Sequence, residues 1–168
     1  FLLRYDYLHN SRSIAGIAGI YLAAVLFWTL AEYLLHRYAF HYQPKKGPLK
    51  KVVYAFHGVH HHFPMDDTRR IMPPLPSLVV SAVVFSFFYL IIGDAAFSFY
   101  PGFVTGYLLY ALVHYFIHTI RTPPKPFKQL WRHHHLHHYK YPDYAYGVST
   151  PLWDHVFGTM PPKPGKKN

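Results

Sequence analysis

"IAGIAGIYLAAVLFWTLAEYLL" fills residues 14–35 and holds one charged side chain, Glu32, in 22 positions. A helix needs about 20 mostly apolar residues to cross the hydrocarbon core of a bilayer, since each residue advances it only about 1.5 Å. Two more runs meet that standard. "LPSLVVSAVVFSFFYLII" at 75–92 has 18 residues and no charge, and "AAFSFYPGFVTGYLLYALVHYFI" at 95–117 has 23 with no acid or base besides His114. Core helices of a soluble protein would read similarly, but three such runs in 168 residues leave too little polar sequence to cover them. Composition agrees: 51% of the chain is hydrophobic and only 14% charged, against about 25% charged in soluble domains. The first run is too long for a signal peptide and has no small-residue cleavage site.

The expected architecture is therefore all-α: an integral membrane helical bundle of three spanning helices, with room for a fourth ahead of Phe1. Gly93 and Asp94, followed by Pro101-Gly102, make the second and third runs a tight hairpin. The charges sort by segment. Lys45, Lys46, Lys50, Lys51, Arg69 and Arg70 lie in the loop 43–70, and Arg121, Lys125, Lys128, Arg132 and Lys140 follow the third run. The hairpin tip has no basic residue, so the positive-inside rule puts the loop and tail in the cytoplasm and the tip and N-terminus outside. Arg4 and Arg12 run against that assignment. Proline-rich "IMPPLPS" (71–77) and "RTPPKPF" (121–127) should end helices at the membrane boundary. Residues 1–160 read as a single membrane-embedded domain and 161–168, "PPKPGKKN", as a disordered basic tail.

Seventeen basic against 7 acidic residues give a net charge of +10, which suits an anionic membrane surface, an acidic protein partner or nucleic acid. There is no cysteine, which excludes disulfides and thiolate metal sites within the chain. There are 15 histidines, and ten of them form four clusters. These are His36 and His41 in "HRYAFH", His57, His60 and His61 in "HGVHHH", His114 and His118 in "HYFIH", and His134, His137 and His138 in "WRHHHLHHYK". Each lies in a cytoplasmic segment, or at a cytoplasmic helix end, under the charge-based topology. The expected picture is a cytoplasmic histidine-rich helical cap.

Residues at i, i+3 and i+4 share a helix face, which is the offset of the second and fourth clusters; His114 and His118 are i, i+4. His36 and His41 are five apart, about 140° away from each other on an ideal helix, so one should lie past the helix end. Four segments each giving two or three imidazoles can enclose two metal ions, and imidazole suits iron, copper, zinc and nickel. Glu32, one turn before His36, is expected to orient it as an acceptor, with Asp154 and Asp143 as weaker candidates for such support. His62, His133 and His135 read as neighbours of ligands, and His9 and His155 as polar interface filling.

Taken together, the four boxes resemble the membrane-bound fatty acid hydroxylase and sterol desaturase superfamily, whose pattern is H-x(3,4)-H, H-x(2,3)-HH, H-x(3)-H and H-x(2,3)-HH. The stretches "FHGVHHHFPMDDTRRIMPPLPS" (56–77) and "YGVSTPLWDHVFGTMPP" (146–162) are most similar to its fatty acid 2-hydroxylase branch. The resemblance implies that the ten clustered histidines ligate two iron ions, although the same imidazoles accept zinc. It implies O2-dependent 2-hydroxylation of free fatty acids or of the acyl chain of sphingolipids and ceramides. No fused cytochrome b5 domain is visible in these residues, so electrons are expected from a separate cytochrome b5-like or ferredoxin-like donor and its reductase, or from a part of the chain ahead of Phe1. The implied location is the inner membrane in a bacterium or the endoplasmic reticulum in a eukaryote.

Three rival readings stay open on sequence. One is carotenoid ring hydroxylation or another sterol or lipid oxidation or desaturation in the same superfamily. Another is a histidine-rich membrane metal-binding protein without catalysis; a transporter, though, should hold ligands near the bilayer midplane, whereas every cluster here lies at or beyond one end of a run. The charge alone permits nucleic-acid binding. Clustered imidazoles in place of an arginine stripe argue against it, and no nucleic acid is expected.

Overall fold

The computed structural model describes residues 1–64, 66 and 74–162. Arg69 and Arg70 of the basic loop, residues 71–73 of the first proline-rich piece and 163–168 of the tail lie outside the described residues. Among the described residues every regular element is a helix, without a strand. The helices are α1 Leu2–His9, α2 Ile14–Leu34, α3 Pro48–Val53, α4 Val59–His62, α5 Pro74–Ile92, α6 Ala96–Thr119, α7 Lys128–Tyr139 and α8 Leu152–Val156. Two π-helical turns interrupt this pattern, Leu35–Phe40 after α2 and Tyr54–Gly58 between α3 and α4.

Two helical stretches are long and apolar enough to cross a membrane, Ile14–Phe40 and Leu75–Thr119. The second comprises α5 and α6, joined by the 3-10 turn Gly93–Ala95. Leu22, Leu26, Leu78, Leu90 and Ile91 are exposed on these stretches, an arrangement that water penalises and lipid does not. The chain divides into two compact units, Phe1–Trp28 with Ile71–Leu109, and Thr29–Arg70 with Tyr110–Asn168.

In the first unit α5 and α6 fold back on each other through aromatic rings. Phe85 meets Phe97 and Tyr100 with ring centroids 5.6 and 5.4 Å apart, and Phe88 meets Phe99 at 4.8 Å. Against α6, the middle of α2 approaches closely because Gly102 and Gly106 have no side chain. A Cβ at Gly102 would lie 2.2 Å from the Tyr21 carbonyl oxygen, and one at Gly106 would lie 2.5 Å from the Trp28 Cβ. Small residues four apart let membrane helices pack backbone to backbone. Tyr21 then donates to the Thr105 hydroxyl at 2.7 Å beside the contact.

At the start of this unit a buried carboxylate fastens α1. Asp6 accepts from Asn10 at 2.8 Å, from Arg12 at 3.0 Å and from the buried Ser98 hydroxyl of α6. Burial pushes its carboxyl up, but these donors and the Arg12 charge outweigh that and hold it below the usual range. Arg12, which counted against an external N-terminus, is thus paired within the chain.

The second unit carries the histidines. Its apolar centre is Ile117, Trp131 and Val148, with Tyr110, Val113 and Leu130 packed around them. The Trp131 indole donates to the Ile120 carbonyl at 2.9 Å, which caps the end of α6 and fixes α7 beside it.

The glycine contact can be tested. Gly102→Ala should cost about 1–3 kcal/mol through overpacking against a backbone carbonyl, seen as a lower melting temperature in detergent. Gly19→Ala, whose Cβ meets nothing within 4 Å, should cost nothing. Equal behaviour of the two variants would show that the close approach does not support this unit.

Candidate metal centre

All ten clustered histidines converge in the second unit, in two groups of five. His36, His41, His57, His61 and His137 form one; His60, His114, His118, His134 and His138 form the other. In each group one ring nitrogen per histidine lies within 4.8 Å of all the others. In the first group Nε2 contacts run from His36 to His57 at 3.0 Å, His57 to His61 at 2.9 Å, His61 to His137 at 3.2 Å and His137 to His41 at 3.0 Å. In the second, His60 meets His114 at 2.9 Å, His114 meets His118 at 3.2 Å and His118 meets His134 at 3.0 Å. The groups adjoin, with the rings of His61 and His138 stacked at 4.2 Å.

The boxes divide between the groups in a regular way. From "HGVHHH" the i, i+4 pair His57 and His61 enters the first group and His60 the second. From "WRHHHLHHYK" the i, i+4 pair His134 and His138 enters the second group and His137 the first. Residues at i+3 and i+4 lie on opposite flanks of one helix face, so a single box reaches both groups.

The π turns solve the five-residue spacing. The His41 amide donates to the His36 carbonyl at 3.2 Å, an i to i+5 bond, and this wider turn brings the two rings to 5.0 Å. His41 is the residue just past the element's end. The second π turn, closed by the Val59 amide on the Tyr54 carbonyl, carries His57. Such turns recur at functional sites because they re-aim side chains within a continuous helix.

Supporting contacts set the ring tautomers. Nδ1 of His36 meets the Tyr146 carbonyl, and Nδ1 of His137 meets the Tyr144 carbonyl at 2.7 Å. A carbonyl only accepts, so both Nδ1 atoms carry the proton and both Nε2 atoms present a lone pair to the group. The segment that supplies the Tyr146 carbonyl hangs on two buried carboxylates. Glu32 accepts from the Val148 amide at 2.6 Å, the Ser149 amide at 2.9 Å and the Ser149 hydroxyl. Asp154 accepts from the Tyr146 and Gly147 amides at 2.9 and 2.8 Å, the His133 Nε2 at 2.9 Å and the Thr159 hydroxyl at 2.7 Å. Only glycine fits at 147, since a Cβ there would lie 2.2 Å from the Thr150 carbonyl oxygen. Behind Asp154 the hydroxyls run in one direction. Thr159 spends its proton on Asp154, so it accepts from Tyr33 at 2.9 Å, and Tyr33 accepts from Arg37 at 2.8 Å.

One expectation is corrected. Glu32 does not serve as the acceptor of His36: its oxygens go to Val148 and Ser149, and the His36 acceptor is the Tyr146 carbonyl. The reason is that α2 points Glu32 at unpaired amides of the 146–149 turn, which an anion satisfies better than an imidazole would. Asp154 does touch a histidine, but it is His133, buried against it. His133, read as a neighbour of ligands, therefore belongs to the supporting layer. The spacing that betrays it, His133 one position before the box, carries no periodic signal. Asp143 is exposed and acts on His41 only by its charge. His9, His62 and His155 are exposed.

The residues present fit a metal ion on two counts. Transition-metal to imidazole bonds are about 2.0–2.1 Å, so adjacent ligands of one ion stand about 3 Å apart, which is the spacing seen here. Among the described residues, both ring nitrogens of His138 are buried without a hydrogen-bond partner, costly unless a cation takes one lone pair. Protonation does not compete. Burial, then the neighbouring imidazoles, hold His57 and His134 well below the ordinary histidine value and His138 far below it. Burial, with neighbouring imidazoles adding to it, lowers His61 and His137 to about 3.

Comparison with known proteins follows this geometry. The model of the family "Fatty acid hydroxylase" matches residues 21–159. The fatty acid 2-hydroxylase of Rattus norvegicus is 37% identical over 150 residues, covering 86% of this chain and 40% of that protein. The dihydroceramide fatty acyl 2-hydroxylase FAH2 of Arabidopsis thaliana is 37% identical over 138 residues, 82% of this chain and 58% of that protein. A solved structure described as full-length scs7p, with only the hydroxylase domain visible, superposes with a TM-score of 0.86 at 29% identity, covering 96% of this chain and 61% of that one. The chain spans about half the length of the curated relatives it matches.

The lowered histidines make a pH prediction. Unfolded, these imidazoles take up protons near pH 6.5; folded, His61 and His137 do so only near 3. Between those values the unfolded chain binds more protons, so stability falls as pH falls. Metal-free protein in detergent should melt at a lower temperature at pH 5 than at pH 7.5. A flat profile across that window would show the histidines to be neither buried nor crowded.

Proposed function

The chain belongs to the fatty acid hydroxylase family, and from that premise we propose that it is a di-iron, O2-dependent acyl 2-hydroxylase acting on fatty acids or the acyl chain of ceramide-type lipids. The observation that carries the proposal is the convergence of ten imidazoles into two adjoining groups of five. The named activities of the matched relatives favour acyl 2-hydroxylation over ring hydroxylation of carotenoids.

His36, His41, His57, His61 and His137 would hold one iron, and His60, His114, His118, His134 and His138 the other. Breaking an unactivated C–H bond needs oxidising power that side chains lack, and bound iron with dioxygen supplies it. The chain's own residues bind, orient and shield. The carbonyls of Tyr144 and Tyr146 keep the Nε2 lone pairs of His137 and His36 aimed inward. Asp154 holds the Tyr146 carbonyl in place through the Gly147 amide, Glu32 fixes residues 148 and 149 beyond it, and the Ala145 amide on the Thr159 carbonyl holds the Tyr144 carbonyl. Tyr110, stacked on His114 with centroids 5.5 Å apart, gives the acyl chain an apolar wall. One oxygen atom goes to the product and the other to water, which takes two electrons and two protons from outside. An acidic cytochrome b5-like or ferredoxin-like donor, with its reductase, fits the exposed Lys45, Lys46, Lys50 and Lys51 by electrostatic steering. In this reading residues 1–160 form one membrane hydroxylase domain of three spanning helices, with the histidines on the cytoplasmic side. The basic loop and the hairpin tip without basic residues support that orientation.

Lipid mass spectrometry after expression tests the proposal. The wild-type chain should yield 2-hydroxylated acyl lipids, and His137→Ala should lower them to the level of cells without the gene. Equal hydroxy-acid content in the two would overturn the reading.

A further inference from the structure

A cavity of about 540 Å³ lies within the second unit over the first histidine group. That is inside the range of about 300–1,000 Å³ typical of small-molecule sites. Its wall includes His41, His57 and His61 of that group, and none of its lining residues belongs to the other group. Phe40, Val53 and Tyr54 are among its apolar lining. Lys45 and Lys50 also line it, and among the described residues no aspartate or glutamate does. Both lysines are exposed, whereas His57 is buried, so positive charge stands at the open side and imidazole at the enclosed side. Phe40 is also the last residue of the apolar stretch Ile14–Phe40. The cavity therefore begins where that stretch ends, at the level at which a membrane lipid carries its head group.

From this arrangement we infer that the cavity is a head-group site for an acyl lipid ending in a carboxylate, with Lys45 and Lys50 holding the anion. The inference rests on the acyl hydroxylase reading and narrows it to the free acid. A paired cation grip suits a carboxylate and offers nothing to a neutral amide of the same shape. It also accounts for position: gripped at its head in a cavity walled by His41, His57 and His61, the lipid presents the carbons next to its carboxylate to this histidine group. Lys46 and Lys51 neighbour these lysines in sequence but do not line the cavity, so they separate a local grip from general surface charge.

The test uses the metal-loaded protein in detergent, with radiolabelled hexadecanoate and neutral hexadecanamide as probes. Lys45→Gln with Lys50→Gln should raise the Kd for hexadecanoate about tenfold, the loss expected for charge-assisted contacts, and leave that for hexadecanamide unchanged. Lys46→Gln with Lys51→Gln should change neither. Unchanged hexadecanoate binding in the first pair, an equal loss in both pairs, or an equal loss for both probes would overturn the head-group site; the last two would mark non-specific attraction and a packing defect. Wild-type protein that shows this binding pattern but forms no hydroxylated product would leave the site standing and sink the hydroxylase reading instead.

Discussion

Five imidazoles cannot share a space a few ångströms across unless their lone pairs face something positive. Protons could supply that charge only at a prohibitive cost, since burial and mutual repulsion keep these rings neutral. A metal cation supplies it without repulsion. Much of the second unit follows from this constraint: the π turns that swing His41 over His36, the exchange of one histidine between boxes, and carbonyls placed behind the rings. In energetic terms the site is frustrated until loaded, so metal binding and stability should be coupled.

The supporting layer converts that constraint into geometry. Glu32 comes from α2 and Asp154 from α8, and each receives amides of the short 146–149 segment. These contacts fix the height of the Tyr146 carbonyl, which sets the His36 tautomer, while the Tyr144 carbonyl, held through the Ala145 amide on Thr159, sets that of His137. Losing either carboxylate would release several amides at once, which is why their effect should reach rings they do not touch.

Much of this was legible in the sequence. Apolar runs free of charge announce long helices by elementary length arithmetic, and histidine offsets of three and four announce a shared face. The division of each box between two groups was not legible, because i+3 and i+4 differ only in which flank they occupy, and the partners on that flank come from other segments. The His36–His41 spacing reads as a defect until an i to i+5 turn is known. The Glu32 role was misplaced because nearness in sequence pointed to His36, while the true donors lie more than a hundred residues away. The Gly102–Gly106 approach sits inside an apolar run where glycine looks like ordinary filler, and only the neighbouring backbone reveals its need.

The most direct test of the account is the number of metal ions held by each group. Metal-free protein titrated anaerobically with ferrous ion should bind about two per chain, one per group of five histidines. Replacing His41 and His61 together, which removes ligands of one group only, should leave about one. A wild-type stoichiometry of one or none, or loss of both ions in that variant while it remains folded, would contradict the account.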